Sequence, residues 1–266
     1  MNKTGWVIIV IVIVLLVGGG IWYWMSMSNP NTSNSSTYNT TGTQNQAKGT
    51  MVLSVTDAAA SMKNVSEVTM VVDKVDVYSN TQGWVTVSQT PQTFNLLELK
   101  SKNQAKLLVQ ADVPTDTYSQ IKFHVSQLAV TESGVVKNAV LPSNDFNLSA
   151  NVTVAPNVDA SATFDIMADK SLHKTAKGDF VFAPVVTFNS SSNANVQVDA
   201  NNVVTISGGT ANPSVNAGMD VDGTVKANFQ IDPSAKLDVN GGVVQVLGAV
   251  NTNTQVNTNP QTLPGY

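Results

Sequence analysis

The chain has 266 residues, 42% of them hydrophobic and 12% charged, with a formal net charge of −4. That is enough apolar side chain for a core in one large or two small domains, and it excludes a disordered polymer. All 14 basic residues are lysine and cysteine is absent; this removes the bidentate arginine grip on phosphate or guanine, argues against nucleic acid as a partner, and excludes disulfides, thiolate chemistry and a lipid-modified cysteine anchor.

The first element is "WVIIVIVIVLLVGGGIWYWM", Trp6 to Met25. Twenty uncharged residues make roughly 30 Å of helix, the thickness of a hydrocarbon core. Lys3 precedes the run, no lysine follows before Lys48, and Trp22, Tyr23 and Trp24 stand at its exit. The expected topology is a single transmembrane helix over 6–25, with residues 1–5 as a cytoplasmic stub and the bulk of the chain extracytoplasmic. Two alternatives stay open. Val7 to Val17 would serve as the h-region of a cleaved signal peptide, although no A-x-A site follows. "KTG" before Trp6 loosely resembles a prepilin cleavage point, although Val10 is apolar and the early glutamate of type IV pilins is missing.

Residues 26–49 follow as a spacer. Its centre, "NPNTSNSSTYNTTGTQNQ" (Asn29 to Gln46), has no charge and no apolar period, and it buries too little surface to offset chain entropy. Its reach as a flexible chain is about 25 Å. Asn31, Asn34 and Asn39 form sequons, glycan acceptors in a host with that machinery.

From Thr50 the period is two. Strands are predicted over 51–56, 68–78, 84–88, 93–97, 118–130, 146–155, 160–168 and 180–188, with helix confined to a turn or two at Ala58 to Met62 and Lys170 to Lys174. The expected fold class is mainly β, an antiparallel β-sandwich over 50–190 behind the transmembrane helix. Within it, "EVTMVVDKVDVYSNTQGWVTV" changes phase at Asp73 and Lys74, which predicts a β-bulge. With "SNTQG" as the hairpin loop, Val75, Val77, Val85 and Val87 face the core. Asp76, Tyr78, Trp84 and Thr86 face outward, and Thr86 is expected to tolerate a carboxylate.

"LSVTDAAASMKNVSEVTMVVDKVDVYSNTQGWVTV", "TFNLLELKSKNQAKLLVQADVPTDTYSQIKFHV", "FDIMADKSL" and "DFVFAPVVTF" together resemble the domain-of-unknown-function family 4382, over about Thr50 to Phe188. The resemblance implies a microbial surface protein that is secreted, lipidated or membrane-anchored, and it implies no reaction. "PTDTY" (114–118) stands where a glycine usually precedes the tyrosine. Beyond Ser190, Val-rich runs with D-G and N-G turns predict hairpins over 191–250 that either extend the sandwich or form a small second sheet. The tail 251–266 repeats the spacer's composition and is expected to be disordered.

Candidate chemistry is sparse. Ser119 and Lys122 spell S-x-x-K, but three residues apart on a strand they point oppositely. His124 alternates with Ile121, Phe123 and Val125 and faces away from them, and His173 lies in a lysine-rich loop. Asp57 in "TDA" suits an Asx turn better than a cation ligand. Asp220 and Asp222 begin a calcium-like D-x-D-G without its remaining ligands. Tyr78 and Trp84, paired across the outer side of a hairpin, offer a stacking platform for a sugar ring, or else simply stabilise the hairpin.

These residues imply no enzyme, no cofactor and no metal. The sequence is that of a membrane-anchored surface protein carrying a binding or adhesion module, with envelope or host glycans or neighbouring surface proteins as partners. The alternative is a structural assembly subunit, pilin-like or strand-exchanging.

Overall fold

The computed structural model describes residues 46–247. The expected transmembrane helix, most of the spacer and the expected tail lie outside those residues. No helix among the described residues is long and apolar enough to cross a membrane.

In chain order the first half forms β1 (Lys48–Thr56), β2 (Val65–Ser79), β3 (Gly83–Ser88), β4 (Gln92–Asn95), helix α1 (Leu96–Lys102), β5 (Ala105–Pro114), β6 (Asp116–Glu132) and β7 (Val135–Val140). Then come β8 (Asp145–Val154), β9 (Asp159–Ile166), helix α2 (Ala168–Ser171), β10 (Leu172–Lys174), β11 (Phe180–Phe182) and β12 (Val185–Val198). The last strands are β13 (Val203–Ser207), β14 (Thr210–Ala211), β15 (Val215–Met219), β16 (Val225–Ala227), β17 (Leu237–Asn240) and β18 (Val243–Val246).

The fold is mainly β, in two eight-stranded sheets and one two-stranded sheet. The first sheet runs β13-β5-β1-β9-β12-β15-β16, with β14 on β12; the second runs β10-β11-β7-β6-β2-β3, with β4 on β2 and β8 on β6. One expectation is corrected here. The sheets are not wholly antiparallel, because β1 pairs parallel with β9 and β11 parallel with β7. β1 lies between β5 and β9 and buries both faces through Met51, Val52, Leu53 and Val55, so its apolar residues do not keep to alternate positions.

β13 pairs with both β12 and β5. Strands β5, β1, β9, β12 and β13 therefore form a closed ring of hydrogen-bonded neighbours. The sheets share one core, in which Phe123 of β6 stacks on Phe146 of β8 at 5.2 Å and meets Phe164 of β9 edge-on at 5.4 Å. Phe164 in turn touches Phe188 of β12 at 5.1 Å.

Other boundaries differ from expectation for local reasons. The run 180–188 is two strands in different sheets: Pro184 has no N–H to continue a ladder, and the chain crosses from β11 to β12 at Ala183–Pro184. Leu96 and Leu97 open α1 instead of extending a strand. The Asn95 side chain accepts the Glu98 N–H, and Asn103 closes the helix in the left-handed region at φ 48°. Residues 58–62 form no helix, and Leu172–Lys174 is strand β10. The boundary expected at residue 190 falls inside β12; β13 to β16 extend the first sheet, while β17 and β18 pair only with each other.

Candidate functional site

The candidate site grows from β2. Against β6, Val72 pairs with Val125 and Lys74 with His124, so Asp73 is the extra residue of a bulge. The bulge reverses which parity points inward: Val68, Met70 and Val72 are buried before it, Val75 and Val77 after it. A three-residue loop, Asn80 to Gln82, then joins β2 to β3, with Gly83 at φ 68° where a side chain would be strained. Ser79 fixes the loop by accepting the Gln82 N–H at 3.0 Å and donating to Asp116 Oδ2 at 2.6 Å.

The register places outward residues of β3, β2, β6 and β8 in rows across the second sheet. The first row is Trp84, Tyr78, Gln120 and Ser149, and the next is Thr86, Asp76, Lys122 and Asn147. A third, shorter row holds Lys74, His124 and Asp145. On the reverse side of these strands Val77, Ile121 and Leu148 belong to the buried core.

The Tyr78 and Trp84 rings are 5.3 Å apart and tilted by 54°, and Trp84 is 45% exposed. Lys122 Nζ lies 4.8 Å from the centre of the Trp84 ring, a cation–π contact. Asp76 is 4% exposed. It accepts from Thr86 Oγ1 at 2.6 Å and Lys74 Nζ at 2.9 Å, with Lys122 Nζ at 3.5 Å. Burial alone would raise its pKa, but the Thr86 hydroxyl and the Lys74 ammonium outweigh it and hold the carboxyl below the usual range. Asn147 Nδ2 donates to Gln120 Oε1 at 3.2 Å and ties the first two rows together.

Folding brings His124 a carboxylate that local sequence did not offer: Nδ1 is 2.8 Å from Asp145 Oδ1 across β6 and β8. With side chains 39% and 56% exposed, the pair is solvated. Ser119 sits at an irregularity in the β6–β8 register, and its S-x-x-K partner Lys122 is engaged by Asp76 and Trp84. Asp220 pairs with Lys226, while Asp222 Oδ1 accepts the N–H and hydroxyl of Thr224, so both carboxylates serve the β15–β16 turn. No group of three or more metal-ligating side chains occurs among the described residues.

Asp57 caps β1 and is 4% exposed. Its Oδ1 accepts the Ala59 N–H at 2.7 Å, the expected Asx turn, and the Ala168 N–H at 3.3 Å, a contact across 111 residues. Asp165 accepts the Ala58 N–H at 2.7 Å, and Lys100 donates to the Ala58 carbonyl at 3.1 Å. Burial, with Asp165 adding to it, pushes the Asp57 carboxyl up to about 6 against the two N–H donors. This is a latch between loops. A second polar spot is a cavity of about 170 Å³ where Asp169 and His173 meet Gln230. Asp169 Oδ1 and His173 Nε2 are buried there without a partner among the described residues, and burial lowers the His173 pKa.

The outward rows form a surface with one exposed aromatic and an array of amide, hydroxyl and charged groups around the buried Asp76. Tyr78 and Trp84 were legible as a hairpin pair; Gln120, Asn147 and Ser149 were not, because only the long-range register of β6 and β8 sets them beside it.

This architecture is that of a β-rich domain. Residues 48–184 match the family described as "Domain of unknown function (DUF4382)", and the chain belongs to that family. No curated protein and no solved structure matches the chain.

Proposed function

We propose that the chain is a membrane-anchored, extracytoplasmic surface protein that displays its β domain as a binding or adhesion module, with the outward face of the second sheet as contact surface. The observation that carries this reading is the half-exposed Trp84 beside Tyr78 on the outward face of that sheet. A large aromatic left in water on a rigid scaffold is more useful for contact than for stability. The uncharged run Trp6 to Met25 and the uncharged spacer after it support the anchored placement.

The test has two arms. Protease added to intact cells should release a fragment beginning within Asn29 to Lys48, and digestion only after lysis overturns the topology. Cells displaying the Trp84→Ala chain should lose adherence to the surfaces that wild-type cells bind, while surface amounts of the protein stay equal. Undiminished adherence overturns the contact face.

A further inference from the structure

Resting on that reading of the outward face, we propose that its ligand is a neutral oligosaccharide lying across β3, β2, β6 and β8, with one sugar ring packed on Trp84.

Charge is the first reason. The charges of the three rows offset one another: two lysines, Lys74 and Lys122, stand against two carboxylates, Asp76 at 2.9 and 3.5 Å from them and Asp145, which lies beside His124, a side chain charged only when protonated. A polyanion or polycation would find no unbalanced charge to neutralise and would have to break a pair already made. The uncharged groups are the ones left over. Gln120 Nε2 and Asn147 Oδ1 have no partner among the described residues after the bond between the two amides, and the Ser149 hydroxyl projects beside them. Donors and acceptors interspersed in this way match sugar hydroxyls, each of which both donates and accepts.

Shape is the second reason. Four strands spaced about 4.8 Å apart set the first row over ~14 Å, the length of about three pyranose rings in extended linkage. A protein partner of standard size would need a wider apolar centre than one half-exposed ring. The apolar side of a sugar ring, by contrast, is about the size of the indole face.

The position of Lys122 adds a consequence. A ring settling on Trp84 displaces the ammonium 4.8 Å above it, and Asp76 already waits 3.5 Å from the same nitrogen. The lysine therefore gives up the aromatic face and keeps its pairing with the buried Asp76 carboxylate, and a neutral ligand has no use for its charge. An acidic sugar would depend on it.

The experiment uses the full chain in detergent with Trp6, Trp22 and Trp24 changed to phenylalanine, so that Trp84 is the only tryptophan. It is titrated with hexasaccharides of β-1,4-linked glucose, xylose, mannose and N-acetylglucosamine, and with oligogalacturonate. At least one neutral hexasaccharide should shift Trp84 emission; Gln120→Ala should weaken that binding by about fivefold or more, the effect of one lost hydrogen bond. Lys122→Gln should leave it unchanged or tighter, with melting temperatures of both variants near wild type. Silence toward every neutral sugar, a response to oligogalacturonate alone, or loss of binding in Lys122→Gln overturns the proposal. If no sugar responds but Trp84→Ala still abolishes adherence, the neutral-glycan inference falls and the contact face stands. If Trp84→Ala leaves adherence intact, both fall.

Discussion

The Thr86 hydroxyl donates to Asp76 Oδ1 at 2.6 Å across the β2–β3 hairpin, so an exposed residue is the nearest partner of a buried carboxylate. Position 86 looks permissive when judged by facing alone, and this contact corrects that. Thr86→Val should cost about 1.5–3 kcal/mol, the range for a hydrogen bond to a charged group, and Thr86→Asp should cost more by setting two carboxylates side by side. The folded-state pKa of Asp76 is depressed, so its contribution is present above the unfolded value and disappears as pH falls through the folded one. Thermal melts between pH 2 and 7 should show the acid limb of Thr86→Val displaced to higher pH; superimposable wild-type and Thr86→Val curves would remove the argument.

Asp57 has the opposite sign. Its carboxyl is raised from an ordinary 3.8 to about 6, so the folded state holds a proton that the unfolded chain has released, and this group's contribution weakens as pH rises across that window. The cost above pH 6 is on the order of 3 kcal/mol. Asp57→Asn keeps an oxygen for the Ala59 and Ala168 N–H groups and removes the charge. It should therefore raise the melting temperature at pH 8 and flatten the slope between pH 4 and 6. A variant less stable than wild type at pH 8 would show that the charged form is the one the latch needs.

Val75 and Trp84 separate scaffold from surface. Val75 is 1% exposed, and Val75→Asp would bury an unpaired carboxylate and unfold the domain. Trp84→Ala removes an aromatic contact from a half-exposed position and should cost about 1 kcal/mol. Equal losses in denaturant titration would mean that Trp84 serves the fold.

Gly218 of β15 probes the segment beyond the family match. A Cβ there would stand 2.1 Å from the Phe229 carbonyl oxygen, a backbone atom with little freedom to retreat. Gly218→Ala should destabilise the domain by about 1–3 kcal/mol, typical of overpacking. Faster hydrogen exchange in β15 and β16 than in β2 and β6 would locate the damage, whereas unchanged exchange throughout would show that this segment yields freely.

The β2–β3 hairpin could be read from sequence because each of its signals is local: alternation, a phase slip at Asp73, and a glycine three residues into the turn. Helix α1 carried local signals too, Asn95 three residues before Glu98 and Asn103 at the other end, but the leucines that begin it read as the end of the preceding strand. The parallel pairing of β1 with β9 has no such signature, since its partners are more than 100 residues apart and a strand buried on both faces shows no period. The same limit applied to the candidate site. Tyr78 and Trp84 are six residues apart, whereas Gln120 and Ser149 reach them only through a register that an irregularity near Ser119 shifts.

The closed ring of strands carries a lesson about where this protein can be cut. The family match ends at residue 184, one residue before β12 begins. A fragment stopped there would retain β5, β1 and β9 but lose the neighbours of β9 and β5 on either side, leaving two raw edges where the intact chain has none. The matched segment is thus shorter than the segment that closes the ring. This chain trimmed to residues 48–184 should clump when produced, and should recover once β12 and β13 are restored.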